Sequence, residues 1–250
     1  MAGTRSVRRV PGLNTAGLAF GLLAAAGAPG LAEANSIRVT PAAALDGSRF
    51  GLELKLDDPA SREPTDAYVA IGPEKGVRDE ASLEVGLTLD PGGLVAAGRR
   101  KPGALSFMRL ADTGGPGRPG LVVFLEQTPV KGWFIGAWSW DDATGRFVLA
   151  GRAPLRFETA RGVAVAAIRP RVEVEWAAAS ELGGRGYLRI LSVAANGERA
   201  LLLENTDLNN ATQRVGYVEL GVRAADHAPG VSGRLFLDNF EINRTSPPLP

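Results

Sequence analysis

Two sets of residues in this chain have types and spacing suited to chemistry. Glu173 and Glu175 lie two apart in Arg171-Val-Glu-Val-Glu-Trp176, so on an extended strand both carboxylates leave the same face. A pair of carboxylates is what glycoside hydrolysis needs, one as acid and one as nucleophile or base. The same spacing also makes a solvent-facing polar stripe opposite Val172, Val174 and Trp176, and both readings stand. The second set is Gly132-Trp-Phe-Ile-Gly-Ala-Trp-Ser-Trp-Asp-Asp142, which holds three of the four tryptophans. On a strand, Trp138 and Trp140 share a face with Phe134, while Trp133 lies on the other. A flat indole ring takes the C–H face of a sugar, and carboxylates and amides take its hydroxyls. Trp138 and Trp140, with Asp141, Asp142 and Asn209 as polar partners, therefore form a candidate glycan platform. Turned inward, the same tryptophans would fill a core.

Composition removes much other chemistry. The chain has 250 residues, no cysteine and a single histidine, His227. Disulfides, zinc–thiolate and iron–sulfur centres, cysteine nucleophiles, two-histidine metal sites and histidine relays are excluded. A net charge of +1 argues against nucleic acid as a partner. The glycine-rich stretch 114–120 is followed by no helical pattern and no Lys-Ser/Thr, so it is not a phosphate cradle. Carboxylates remain as the main acid–base groups, and His227 reads as a solvated loop residue.

The elements that must position these groups read as strands. Phe50, Leu52, Leu54 and Leu56 alternate with Gly51, Glu53 and Lys55, and Leu83 to Leu89 alternate with Glu84, Gly86 and Thr88. No eleven-residue window after Asn35 keeps a helical period. Further strands are expected over 37–40, 67–71, 104–110, 121–126, 132–140, 146–150, 155–158, 172–176, 187–193, 199–203, 214–222 and 234–242. Segments 141–145 and 195–198 read as tight turns between them. That is about fourteen strands with one polar face each, which suits two antiparallel sheets packed face to face as a jelly-roll sandwich. The loops 57–65 and 112–119 are too short to divide it, so one domain is expected over 35–243, followed by a disordered Pro-rich tail at 244–250.

The first 34 residues read as an address. Arg5, Arg8 and Arg9 precede an apolar run from Leu13 to Ala28, a Pro-Gly break and Ala32-Glu33-Ala34. This is the layout of a secretory signal peptide cleaved after Ala34, with the product secreted or periplasmic and no membrane span left after removal. The leader holds three arginines and one glutamate, so its loss takes the net charge from +1 to −1.

The C-terminal third carries a resemblance. It runs through Arg171–Trp176, Gly186-Tyr-Leu-Arg-Ile-Leu191, Ala200–Leu203, Asp207–Asn210 and Arg214-Val-Gly-Tyr-Val-Glu-Leu-Gly221. It closes on Gly233-Arg-Leu-Phe-Leu-Asp-Asn-Phe-Glu-Ile242. This resembles the concanavalin A-like (LamG-like) jelly roll, and is similar to exported bacterial proteins with an I-E-x-D-W-like strand and a final F-D-x-F strand. The resemblance implies a two-sheet antiparallel sandwich and raises the expectation of a structural calcium at Asp238. Some glucanases of this fold place Glu-x-Asp-x-x-Glu on one strand. Here the second acid is Glu175 and position 178 is Ala, so the third carboxylate is missing. The fold hosts lectins, adhesion modules, glycosidases and lyases, and does not select among them. The residues favour a non-catalytic binding module for glycan or cell-envelope polymer. A polysaccharide hydrolase or lyase using Glu173 and Glu175, and an interaction module without a small ligand, are the alternatives.

Overall fold

The computed structural model describes residues 35–45, 47–56, 66–71, 80–96, 103–112, 119–128, 132–155, 170–223 and 231–243. Among them are thirteen strands: β1 (Ser36–Thr40), β2 (Gly51–Leu56), β3 (Ala67–Ile71), β4 (Ser82–Ala96), β5 (Gly103–Ala111), β6 (Pro119–Thr128) and β7 (Gly132–Asp141). They continue with β8 (Arg146–Pro154), β9 (Arg171–Ala177), β10 (Gly186–Val193), β11 (Arg199–Leu208), β12 (Tyr217–Val222) and β13 (Val231–Asn243). All pairings are antiparallel, in a seven-stranded sheet ordered β1-β2-β13-β4-β9-β10-β11 and a six-stranded sheet ordered β3-β12-β5-β6-β7-β8. The protein is an all-β jelly-roll sandwich. No described helix is long and apolar enough to cross a membrane.

Alternation explains the core. Leu83, Val85, Leu87 and Leu89 of β4, with Val172, Val174 and Trp176 of β9, are all buried and face Leu121, Val123, Leu125 and Ile135 of the other sheet. Trp176 is fully buried. The β7–β8 turn falls where expected: Gly145 donates its N–H to the Asp141 carbonyl at 2.9 Å and adopts φ +62°, a conformation open to glycine without strain.

Two departures from the expected strands have physical causes. β4 runs on through Asp90-Pro91-Gly92-Gly93 to Ala96, where turn residues were expected to end it. Its partner β9 stops at Arg171, opposite Thr88, so the remainder of β4 pairs with β13 alone. On such a one-sided stretch the missing N–H of proline costs no ladder bond. β13 holds an irregularity between Asp238 and Glu241, with Asn239 at φ +49°, which turns Phe240 and Ile242 to the same core that Leu235 and Leu237 face. The strand expected at 155–158 lies outside the described residues beyond Leu155, as do the leader, most of the 57–65 and 112–119 loops, the Pro-rich tail and His227.

Candidate functional site

β7 is apolar on both faces, so its sequence does not say which side turns inward. Ile135 and Ala137 lie fully in the core, and the period of two then sends Phe134, Gly136, Trp138 and Trp140 to the outer face. Trp138 is 40% exposed there, packed beside the Phe124 ring at 6.1 Å. Trp140 is half-buried and meets Phe147 edge-to-face at 5.5 Å. The outward placement required of a sugar platform is met by both rings.

Register extends Trp138 into a row that crosses the whole six-stranded sheet. Ala70, Glu219, Arg109, Val122, Trp138 and Leu149 are successive partners on β3, β12, β5, β6, β7 and β8. At about 4.8 Å between strands, Glu219 and Trp138 stand about 14 Å apart along it. Two members of the row and three of its neighbours are shielded although they lie on the outer face: Glu219, Val122, Phe124, Glu126 and Phe134 are all buried, whereas Ala70, Trp138 and Leu149 are exposed. Next to Trp138, the Phe124 ring extends over Gly136, where a β-carbon would stand 2.4 Å from Phe124 Cζ.

The charges on this face occur as pairs. Arg152 Nη1 lies 3.0 Å from Glu126 Oε2, and its guanidinium covers the Phe134 ring at 4.2 Å. Arg223 donates Nε–H to Glu219 Oε2 at 3.0 Å, makes a second short bond to Glu219 Oε1, and reaches Asp66 Oδ2 at 3.1 Å. Its guanidinium lies 3.5 Å from the Tyr68 ring centre. The hydrogen bond to Glu219 raises the Arg223 pKa, against desolvation. Burial lowers that of Arg109, and the neighbouring Glu219 carboxylate opposes the change. Arg109, Glu126, Arg152, Glu219, Arg223 and Tyr68 were not singled out from sequence. The signal available was a single charged residue between apolar neighbours on the same strand, as in Val218-Glu-Leu220 and Met108-Arg-Leu110.

Asp141, Asp142 and Asn209 do gather at the end of β7, but they serve the loops. Asp141 Oδ1 accepts the Thr144 N–H at 2.7 Å across the turn. The Asp142 carboxylate accepts from Thr212 N–H at 2.8 Å, Thr212 Oγ1–H at 2.6 Å and Gln213 Nε2–H at 3.0 Å. Its backbone N–H donates to the Asn209 carbonyl at 2.8 Å. These contacts tie the β7–β8 turn to the loop after β11 of the other sheet, and leave the Asp142 oxygens engaged by protein donors.

Glu173 and Glu175 point outward from the opposite sheet. They cannot join the tryptophans in one site, because two packed sheets separate them. Nor are they a solvated stripe: each side chain is only 14% exposed. Arg199 reaches over from β11 and places Nη2 2.6 Å from Glu173 Oε2, 2.7 Å from Glu175 Oε1 and 3.9 Å from Glu84 Oε2. The Glu173 contact is an ion pair without hydrogen-bond alignment. Arg171 completes the lattice, donating to the Asn239 carbonyl and to Glu241 Oε2, each at 2.9 Å.

Asp238 is buried in mid-sheet with hydrogen-bond donors on both oxygens. Oδ2 accepts the Leu45 N–H at 2.6 Å and the Ser48 hydroxyl, and Oδ1 accepts the Asn239 N–H at 2.7 Å. These are N–H and O–H groups, whose positive ends would oppose a cation, so the residues present do not fit calcium at Asp238. Among the described residues, no group of three or more His, Cys, Asp or Glu could hold a metal ion.

No protein-family model and no curated protein matches the chain. Among solved structures it is similar to the PL-14 alginate lyase from Aplysia kurodai, with TM-score 0.48 and 11% identity over 84% of this chain and 87% of that one. It is also similar to the exolytic PL7 alginate lyase AlyA5 from Zobellia galactanivorans, with TM-score 0.48 and 9% identity over 88% and 91%. The CBM2 module of the Lactobacillus casei BL23 phage J-1 evolved Dit aligns with TM-score 0.40 and 11% identity over 80% and 73%. Likeness at this level carries no chemistry to the present chain, whose own residues must do so.

Proposed function

We propose that this chain is an exported, concanavalin A-like binding module, secreted or periplasmic, that holds a glycan or cell-envelope polymer on the outer face of its six-stranded sheet without transforming it. The observation that carries this reading is the outward placement of Trp138, 40% exposed beside the buried Val122 and Phe124. An exposed indole flanked by Phe124 and by paired polar groups suits the alternating C–H and hydroxyl faces of a sugar. The test is glycan-array or pull-down binding by the wild type and by a Trp138→Ala/Trp140→Ala double variant. Binding is expected to vanish in a folded variant, and unchanged binding there sinks the assignment.

A polysaccharide hydrolase or lyase is the second reading, favoured by the buried Glu219 carboxylate beside Arg109 on the same row. Product release from a polysaccharide panel that is abolished by Glu219→Gln would establish it over the binding role.

A further inference from the structure

We infer that the outer face of the six-stranded sheet selects an uncharged glycan and rejects polyuronates and sulfated chains. This rests on the binding role proposed above and names its ligand class. The described guanidiniums on that face are Arg109, Arg152 and Arg223, and the described carboxylates there are Asp66, Glu126 and Glu219. Each cation already faces one of those anions. Arg152 is engaged by Glu126 and lies on Phe134. Arg223 is engaged by Glu219 and Asp66 and lies on Tyr68. Arg109 stands directly opposite Glu219 across the β5–β12 pairing.

The two anchoring anions, Glu126 and Glu219, are both buried. A ligand carboxylate or sulfate that recruited Arg152 or Arg223 would strip a buried glutamate of its counter-charge, and an uncompensated buried charge is strongly unfavourable. The glutamates would also repel the incoming anion at short range. An uncharged sugar meets no such conflict. It can stack on Trp138 and exchange hydroxyl hydrogen bonds with the rims of intact ion pairs. The Glu126–Arg152 pair, which flanks β7 opposite Phe134 and Gly136 on the same face as Trp138, is thus the element that excludes acidic chains.

The experiment is affinity electrophoresis of the protein in gels carrying soluble polysaccharides, at low and high salt. Neutral members are a mixed-linkage β-glucan, a xyloglucan, a galactomannan and dextran; acidic members are alginate, polygalacturonate and dextran sulfate. Retention by at least one neutral polymer, little changed by salt, is expected, with none by the acidic polymers. Glu126→Gln releases Arg152 and is expected to raise retention by alginate or polygalacturonate about tenfold, in a salt-sensitive manner. Wild-type retention by acidic polymers that falls with salt overturns the inference while the binding role stands. Retention by no polymer overturns the binding role and the inference together. A Glu126→Gln profile identical to wild type, at an unchanged unfolding midpoint, overturns the exclusion by this pair.

Discussion

The Phe124 ring lies in the space that a side chain at position 136 would fill: a β-carbon on Gly136 would stand 2.4 Å from Phe124 Cζ and 2.9 Å from the Gly151 carbonyl oxygen. Phe124 in turn supports Trp138, so a glycine with no chemistry of its own sets the height of the exposed indole. Gly136→Ala is expected to lower stability by about 1–3 kcal/mol through overpacking. It should also shift the tryptophan emission and weaken binding. Denaturant titration read by fluorescence checks the first, and the glycan assay the second.

Trp176 in the core and Trp138 on the outer face should answer differently to truncation. Trp176 is fully buried between the sheets, whereas Trp138 is 40% exposed. Trp176→Ala should cost about 3–5 kcal/mol and Trp138→Ala about 1 kcal/mol. Paired urea melts would decide, and similar losses in both would contradict the outward placement of Trp138.

Arg199 holds Glu173 and Glu175 with one nitrogen. Its removal leaves adjacent, largely shielded carboxylates with only the more distant Arg171, 3.9 Å from Glu173 Oε1, and Arg189, 4.0 Å from Glu175 Oε2, as counter-ions. Arg199→Ala is expected to destabilise by about 1–2 kcal/mol, below the cost for a fully buried pair because the guanidinium is partly solvated. A Glu173→Gln/Glu175→Gln background should recover part of that loss in a double-mutant cycle, while glycan binding on the opposite sheet stays at the wild-type level.

Asp238 accepts hydrogen bonds from the Leu45 N–H and the Ser48 hydroxyl, so calcium should have no purchase on it. Asp238→Ala is expected to cost about 1–3 kcal/mol by leaving the Leu45 N–H unsatisfied. Neither a chelator nor added calcium should move the thermal midpoint of the wild type. A rise in midpoint with calcium that Asp238→Ala abolishes would restore the metal reading.

Burial first, then the Glu219 carboxylate, push the Tyr217 phenol above the ordinary tyrosine value, with Arg223 opposing. The folded protein therefore keeps this proton more tightly than the unfolded chain does. The associated stability is complete below the unfolded phenol pKa of about 10 and is lost as pH rises through the higher folded value. Ultraviolet titration of the three tyrosines should show a late-ionising component that disappears in Tyr217→Phe.

The amino-acid pattern alone determined the all-β class, the antiparallel sandwich and the buried side of β9, because charged Glu173 and Glu175 alternate with Val172, Val174 and Trp176. It also placed Trp138 and Trp140 on one face of β7 and Trp133 on the other. It could not say which of those faces is the outer one, since both are apolar, and only packing of Ile135 and Ala137 against the opposite sheet decided it. Tertiary structure likewise separated Glu173 and Glu175 from the tryptophans, and engaged Asp142 with Thr212 some seventy positions away. The row from Glu219 through Arg109 and Val122 to Trp138 was beyond reach for the same reason. Alternation sets the relative side of residues along one strand, but register between strands distant in sequence is set by the fold as a whole.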